Sequence, residues 1–233
     1  DKAIRYQSLG AYEIFDKKDK AIYEHCLDHL AYLNQKLSQI CGIEQTFKPL
    51  DDYCRKANFQ NFKYAFSHAA EGQLEPDFMM EALTNKAREV GVKILYGLPV
   101  KHIGESYIET PFGKMNFEKA ALCVNGLAAE FLDEDVLPAR AQVLISSPIA
   151  NLKWQGIHHF DEGYYYFRNV RDRVLIGGGR HLNKKGETTD KLETTSEIQN
   201  ALENLLHKVI LREYDFEIDH RWSGILGIGK TKK

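Results

Sequence analysis

Residues 224–231 read GILGIGKT and match the phosphate-binding loop pattern G-x-x-x-x-G-K-[ST]. This pattern binds a nucleoside triphosphate only where a buried strand leads into the glycine loop and a helix follows it, because loop amides and the helix N-terminus hold the phosphates. The preceding residues 219–223 are not typical of a buried strand, and only Lys232 and Lys233 follow the pattern. The sequence therefore argues against a phosphotransferase, and we predict no nucleoside triphosphate binding.

Two histidine pairs are further candidates for chemistry. His25 and His29 are four residues apart on a predicted helix, which suits a metal pair, but no third ligand lies nearby in sequence. A solvated or capping role is therefore the better interpretation of this pair, and we predict no metal site. His158 and His159 could keep a substrate amine unprotonated, although a surface turn is the simpler interpretation.

The composition is that of an ordinary globular protein. Charged residues make up 27% and hydrophobic residues 43% of the chain, and the net charge of −2 creates no global field that favours nucleic acid. The sequence contains neither a signal peptide nor an apolar run of 18 residues, so it gives no indication of secretion or of a membrane span. The four cysteines show neither C-x-x-C pairing nor zinc spacing, so we expect a cytoplasmic protein with free thiols.

Apolar periodicity predicts the elements that position a site. A strand is predicted at 9–15, and an apolar stripe predicts a helix over 17–41. In the second half of the chain, β-rich runs precede a third helix, which begins with a capping box of Thr194 and Glu197. Its predicted apolar stripe consists of Ile198, Leu202, Leu205 and Val209. A last strand is predicted over about 214–223.

The middle of the chain has a different pattern. A second helix is predicted over 76–90, with a proline in its first turn. Short apolar runs follow it, and they predict a strand at 92–95, an antiparallel three-strand meander and a buried strand at 120–124.

The order of these motifs resembles one family. The motifs are G-x-L-x-P (72–76), GVKILYGLPVKHI (91–103), AALCVNG (120–126), LPARAQVL (137–144), GYYYFR (163–168), RVLIGGG (173–179) and HRWSGILG (220–227). From about residue 9 onward, the chain resembles FAD-dependent oxidoreductases of the D-amino-acid oxidase type, which include glycine oxidase and sarcosine oxidase.

The resemblance implies an α+β fold. A mixed, largely antiparallel substrate-domain sheet with flanking helices would come from residues 1–71 and 136–233, and a remnant of the FAD-binding α/β domain from residues 72–135. The family's G-x-G-x-x-G, which binds the FAD pyrophosphate at a helix N-terminus, is not in this sequence. We therefore expect a chain truncated at both ends that is inactive by itself, holds no tightly bound FAD and forms a homodimer through the exposed remnant.

The resemblance also implies cofactor contacts. The position matching Val100 lies over the adenine end of FAD in the family, and Asn125 with Gly126 closes a strand that runs close to the cofactor. A core strand would explain Val100 equally well, and a simple turn would explain Asn125 and Gly126.

Substrate contacts are implied on the strand GYYYFR. Alternation places Tyr164, Tyr166 and Arg168 on one face of it, and Tyr164 matches a tyrosine that lines the substrate pocket of glycine oxidase. Aromatic packing on a sheet is the alternative interpretation. Arg180 could present positive charge to an anionic substrate, although a solvated loop end is the simpler interpretation.

The sequence departs from the family at the position that holds the substrate's carboxylate. Amino-acid-oxidising relatives hold it with an arginine two residues beyond a W-x-G motif. Here that motif begins at Trp222, which the resemblance also makes a candidate substrate contact, and the position matching the arginine is Leu226. This departure favours a different amine, or a carboxylate held elsewhere, by Arg221 or Arg168.

The resemblance implies FAD-dependent oxidation of a C–N bond in a small amine or amino acid. The cofactor carries the difficult step, so we predict no catalytic acid, base or nucleophile on the protein. The alternative is a catalytically inert fragment, or a small-molecule binding module of the same fold.

Overall fold

The computed structural model describes residues 2–132 and 136–229. The strands are β1 (Ala11–Asp16), β2 (Phe47–Pro49), β3 (Phe62–His68), β4 (His102–Ile103), β5 (Tyr107–Thr110), β6 (Gly113–Asn116), β7 (Val136–Ser146), β8 (Ile157–Phe160), β9 (Tyr165–Val170), β10 (Arg173–Gly178) and β11 (Ile218–Gly229). The α-helices are α1 (Lys20–Cys41), α2 (Tyr53–Lys56), α3 (Pro76–Glu89) and α4 (Ser196–Leu205).

Eight strands form one sheet in the order β11-β7-β10-β9-β8-β1-β3-β2. Every pairing in it is antiparallel except that of β1 with β8, which joins the first part of the chain to residues 136–229. This arrangement confirms the α+β fold with a largely antiparallel sheet.

The core lies on one face of this sheet, beneath α4 and the π-helical turn Leu206–Ile210 that continues it. The predicted apolar stripe is confirmed, since Ile198 and Leu202 of α4 are fully buried against strand residues such as Leu144 and Phe167. At about 25 cal/mol per Å² of apolar surface, each such side chain contributes roughly 2 kcal/mol to folding.

His158 lies in this core, which corrects the surface-turn interpretation. It is fully buried on β8, its ring stacks on Phe167 with centroids 4.5 Å apart, and its Nε2 is 2.7 Å from the Tyr53 hydroxyl. Burial lowers the pKa of His158 to about 3, so the ring is neutral at physiological pH.

The predicted helices α1 and α3 are present. Gly42 ends α1 in the left-handed conformation, with φ of 69°, and its N–H donates to Ser38 O. Pro76 occupies the first turn of α3. None of the helices in the described part of the chain is both long enough and apolar enough to cross a membrane.

The middle of the chain departs from the prediction. The meander forms as the small sheet β4-β5-β6, but residues 92–95 and 120–124 are not strands. A buried parallel strand needs hydrogen-bonding neighbours on its edges, and within residues 2–132 and 136–229 none pairs with either segment. Residues 120–124 instead lead into the 3-10 helix Asn125–Glu130.

The N-terminus of α4 also differs from the predicted capping box. The N-cap is Thr195, one residue later than predicted, and it makes no side-chain cap. Its hydroxyl instead donates to Glu187 Oε1 at 3.1 Å and accepts from Gln142 Nε2 at 2.8 Å. The Thr195 side chain therefore bonds residues distant in sequence instead of capping its own helix.

The last strand is longer than predicted. β11 extends to Gly229 and pairs with β7 throughout, so the glycines of GILGIG are extended β residues rather than a phosphate-binding loop. Lys230 and Thr231, the last two positions of the pattern, lie outside the described residues. The observed strand supports the rejection of nucleotide binding.

Candidate functional site

Residues of five strands form one row across the sheet. Tyr166 of β9 lies directly across from His159 of β8 on one side and from Gly177 of β10 on the other. The register continues from Gly177 to Val143 of β7 and from Val143 to Trp222 of β11. Opposite residues on neighbouring strands share a face. We call the sheet face that carries this row the open face, since α4 packs on the other one.

Tyr166 occupies the middle of the open face because its partner is a glycine. A Cβ built on Gly177 would lie 2.5 Å from Tyr166 Cζ and Oη and 2.5 Å from Val143 Cγ1. The tyrosine ring therefore lies over the β10 backbone, where any larger residue would displace it. Burial raises the pKa of the Tyr166 hydroxyl, so the group is a neutral hydrogen-bonding partner.

Arg168 lies on the same face, two residues further along β9. It is half-buried, and its Nη1 donates to Leu74 O at 2.8 Å. Burial lowers the pKa of its guanidinium, although Glu75 and Tyr166 oppose that effect. Within the described residues no carboxylate pairs with it. A cation without an ion-pair partner therefore stands beside Tyr166.

Two titratable groups complete the row towards β1. Glu13 lies across from His159 on the parallel strand pair. Burial, helped by repulsion from Glu71, raises the pKa of Glu13 to about 7. Burial lowers the pKa of His159. We did not predict Glu13 from the sequence, because a single glutamate in a strand gives no signal before the partner strand is known.

Three of the predicted substrate residues are not on the open face. Tyr164 precedes β9, in the turn, and its ring is 4.4 Å from that of His181. Arg180 begins the 3-10 helix Arg180–Asn183, and its buried Nε has no hydrogen-bond partner among the described residues. Arg221 lies on the α4 side of the sheet, where it donates to Gln199 Oε1 at 3.1 Å. The structure thus brings together only Tyr166, Arg168 and Trp222 of the predicted substrate set.

Two of the three predicted cofactor residues lie against β11. Asn125 Oδ1 accepts from Gly227 N at 2.8 Å, and Asn125 Nδ2 donates to Ile225 O at 3.3 Å. A Cβ on Gly126 would lie 2.6 Å from Leu226 O, which requires glycine there. Val100 lies half-buried in the irregular segment before β4. Asn125 and Gly126 therefore hold the 3-10 helix against β11.

FAD carries a pyrophosphate that flavoproteins of this kind bind at a strand–glycine loop–helix unit. No such unit occurs in the described parts of the chain, where the Asn125 amide is hydrogen-bonded to β11. The described residues therefore do not fit the pyrophosphate, and we assign them no contact with it.

A buried polar network supports β7 from the α4 side. The Arg140 guanidinium donates to both oxygens of Glu187 at 2.8 and 2.9 Å, and Gln142 Nε2 donates to Glu187 Oε2 at 2.9 Å. Although burial alone would raise it, the pKa of Glu187 is lowered by these bonds. The network anchors the loop after β10, and the sequence carries no motif that predicts it.

The comparison with known proteins agrees with this fold. The family model described as FAD dependent oxidoreductase matches residues 10–231, and the chain belongs to that family. A search of curated protein sequences found no match.

Solved structures share the fold at low sequence identity. Glycine oxidase from Bacillus cereus has a TM-score of 0.76 at 16% identity, covering 97% of this chain and 61% of its own. Iminodiacetate oxidase from Chelativorans sp. has a TM-score of 0.77 at 12% identity, and the match covers 99% of this chain and 63% of the oxidase. L-Proline dehydrogenase from P. horikoshii has a TM-score of 0.71 at 16% identity, and the match covers 95% of this chain and 61% of the dehydrogenase. The chain therefore spans about three fifths of the length of these structures.

Proposed function

We propose that the whole protein oxidises a C–N bond of a small amine or amino acid with FAD, and that this chain supplies the substrate-binding face. The family match supports the cofactor. The similar structures are named for glycine, iminodiacetate and L-proline, which are all small amines that bear carboxylates. The observation that carries the proposal is the open face, where Tyr166 lies over Gly177 beside an unpaired guanidinium.

The residues of this face would bind and orient the substrate. Tyr166 offers a ring surface and a neutral hydroxyl, and Trp222, which is 42% exposed, offers a second aromatic surface in the same row. Arg168 would hold a substrate carboxylate through its planar fork of donors. The oxidation itself is the chemistry of FAD, and the face contributes position and exclusion of water.

We further propose that residues 1–71 and 136–233 belong to the substrate domain and residues 72–135 to the FAD domain. The pairing of β1 with β8 in one sheet supports this division. A homodimer through residues 72–135 is supported by apolar side chains that lie open to solvent, since Leu95, Tyr96 and Phe112 are 63%, 71% and 87% exposed. Light scattering of the purified chain tests the dimer, and a monomer at all concentrations would contradict it.

Anaerobic flavin reduction by the full-length protein tests the function. We expect a panel of small amines and amino acids to contain a compound that bleaches the flavin absorption. Replacing Tyr166 with Ala should lower kcat/KM for that compound by about tenfold to a hundredfold. Tyr32→Ala, at an exposed position on α1, is the matched control. Binding without flavin reduction for every compound would instead support a binding module.

A further inference from the structure

A polar cavity of about 240 Å³ lies beside the turn between β9 and β10. Arg168 lines its wall nearest the open face, and Arg5 and Arg171 line it with Glu75. The amides of Gln73 and Gln155 add neutral polar groups to the lining. This volume holds a ligand of a few non-hydrogen atoms, below the size of a typical drug site.

The charges in the cavity do not balance. Glu75 is the acidic group of the lining, and its carboxylate is shared by two exposed arginines, Arg171 at 2.6 Å and Arg5 at 3.2 Å. Arg168 is more buried than either and has no carboxylate of its own among the described residues. Three guanidinium groups therefore face the cavity with a single carboxylate, and a bound anion would offset the excess positive charge beside the half-buried Arg168.

Gln73 is a second lining residue with a polar atom that lacks a hydrogen-bond partner among the described residues. Its side chain is only 6% exposed, and its Nε2 donates to Gln7 Oε1 at 2.9 Å. Its Oε1 is buried without a hydrogen-bond partner among the described residues. A buried acceptor left unpaired costs about 1–3 kcal/mol, and a ligand N–H would remove that cost. The cavity thus presents a cationic donor fork and a neutral acceptor.

We propose that this cavity is the carboxylate site of the substrate, with Arg168 binding the carboxylate and Gln73 Oε1 accepting an N–H from the same molecule. This inference rests on the proposed function and deepens it. It places the carboxylate at the β9–β10 end of the open face rather than at the position of Leu226. It also explains how a chain with leucine at that position accepts a ligand that carries both a carboxylate and an N–H.

The test is a ¹H–¹⁵N NMR titration of the 233-residue protein with acetate, glycine and methylamine, without flavin. We expect saturable shifts of the Arg168 Nε–H and Gln73 amide signals with acetate and glycine, and none with methylamine. Glycine should bind more tightly than acetate, because it alone brings an N–H donor. Arg168→Gln should weaken both ligands by about tenfold or more, since it removes a charge-assisted bond.

Two variants keep the result interpretable. Arg212→Gln removes the same charge from an exposed residue outside the cavity and should leave both affinities unchanged. Gln73→Met should abolish the preference of the site for glycine over acetate while retaining acetate binding. This variant tests the site independently if Arg168→Gln does not fold. No saturable binding by the unmodified protein, or equal binding by Arg168→Gln, would overturn the proposal. Carboxylate binding without amine oxidation by the full-length protein would reject the function and keep the site.

Discussion

Asn125 holds Gly227 at the outer edge of β11. The Gly227 N–H donates to Asn125 Oδ1 at 2.8 Å, and the amide of Asn125 also donates to Ile225 O on the same strand. β11 pairs with β7 on its other side only, so this side chain satisfies edge groups that a neighbouring strand would otherwise bond. The Asn125 side-chain amide therefore makes the hydrogen bonds that a neighbouring strand would make with β11 at these two residues.

Removing this amide should loosen the 3-10 helix from the sheet. We expect Asn125→Ala to lower the free energy of unfolding by about 1–3 kcal/mol, because it breaks both bonds and strains a residue with φ of 49°. Asn125→Asp retains the acceptor and tolerates that φ, so it should cost less. Urea denaturation measures both values, and hydrogen exchange at Gly227 should accelerate in the alanine variant alone.

Gly177 should be the glycine least tolerant of a methyl group on the open face. Gly177→Ala would place Cβ 2.5 Å from the Tyr166 ring, and we expect it to cost about 1–3 kcal/mol of stability and to displace that ring. Gly224→Ala is the matched control, since a Cβ there meets nothing within 4 Å. Thermal denaturation compares the two, and equal stability would show that Tyr166 does not depend on Gly177.

The buried pair of Arg140 and Glu187 should be sensitive to the loss of one partner. Glu187→Gln removes the buried carboxylate that binds two guanidinium nitrogens and leaves Arg140 with only the exposed carboxylate of Glu193, and we expect a cost of about 3 kcal/mol. Glu213→Gln breaks the exposed pair with Lys153, which water and salt screen, and should change stability far less. Chemical denaturation at pH 7 measures both, and a small cost at Glu187 would mean that the network relaxes or admits water.

Glu13 should make stability depend on pH around neutrality. Its pKa rises from 4.5 to about 7 on folding, so the folded state binds a proton more tightly than the unfolded state. That stabilisation is complete below pH 4.5 and is lost as pH rises through 7. Glu13→Gln should therefore match the original protein at pH 4 and exceed it by about 3 kcal/mol at pH 9.

Melting temperatures across that pH range measure the effect of Glu13. Glu44→Gln, at an exposed position, should follow the original protein at every pH. Parallel curves for Glu13→Gln and the original protein would contradict the pKa shift of Glu13.

The 233-residue protein should retain no FAD after desalting. The pyrophosphate depends on backbone amides and a helix dipole, and the described residues offer no strand–loop–helix unit to supply them. An absorption spectrum after incubation with excess FAD checks this. A stoichiometric flavin band would show that other parts of the chain hold the cofactor.

Local patterning was sufficient for the elements that carry their own signals. The apolar stripe of α4, the glycine stop of α1, the proline start of α3 and the meander were each predictable, because helix periodicity, caps and turns depend on residues close in sequence. Alternation along β9 likewise placed Tyr166 and Arg168 on one face.

Contacts between distant residues decided the rest. Residues 92–95 and 120–124 have strand-like composition but no partners, and a strand is stable only when another edge satisfies its backbone. Thr195 bonds the distant Glu187 instead of capping its own helix. Arg221 and Trp222 lie on opposite faces of the sheet, because successive residues of β11 alternate between the two faces. The row from Glu13 to Trp222 exists only through strand register, which depends on how six strands pair and cannot be read from any one of them.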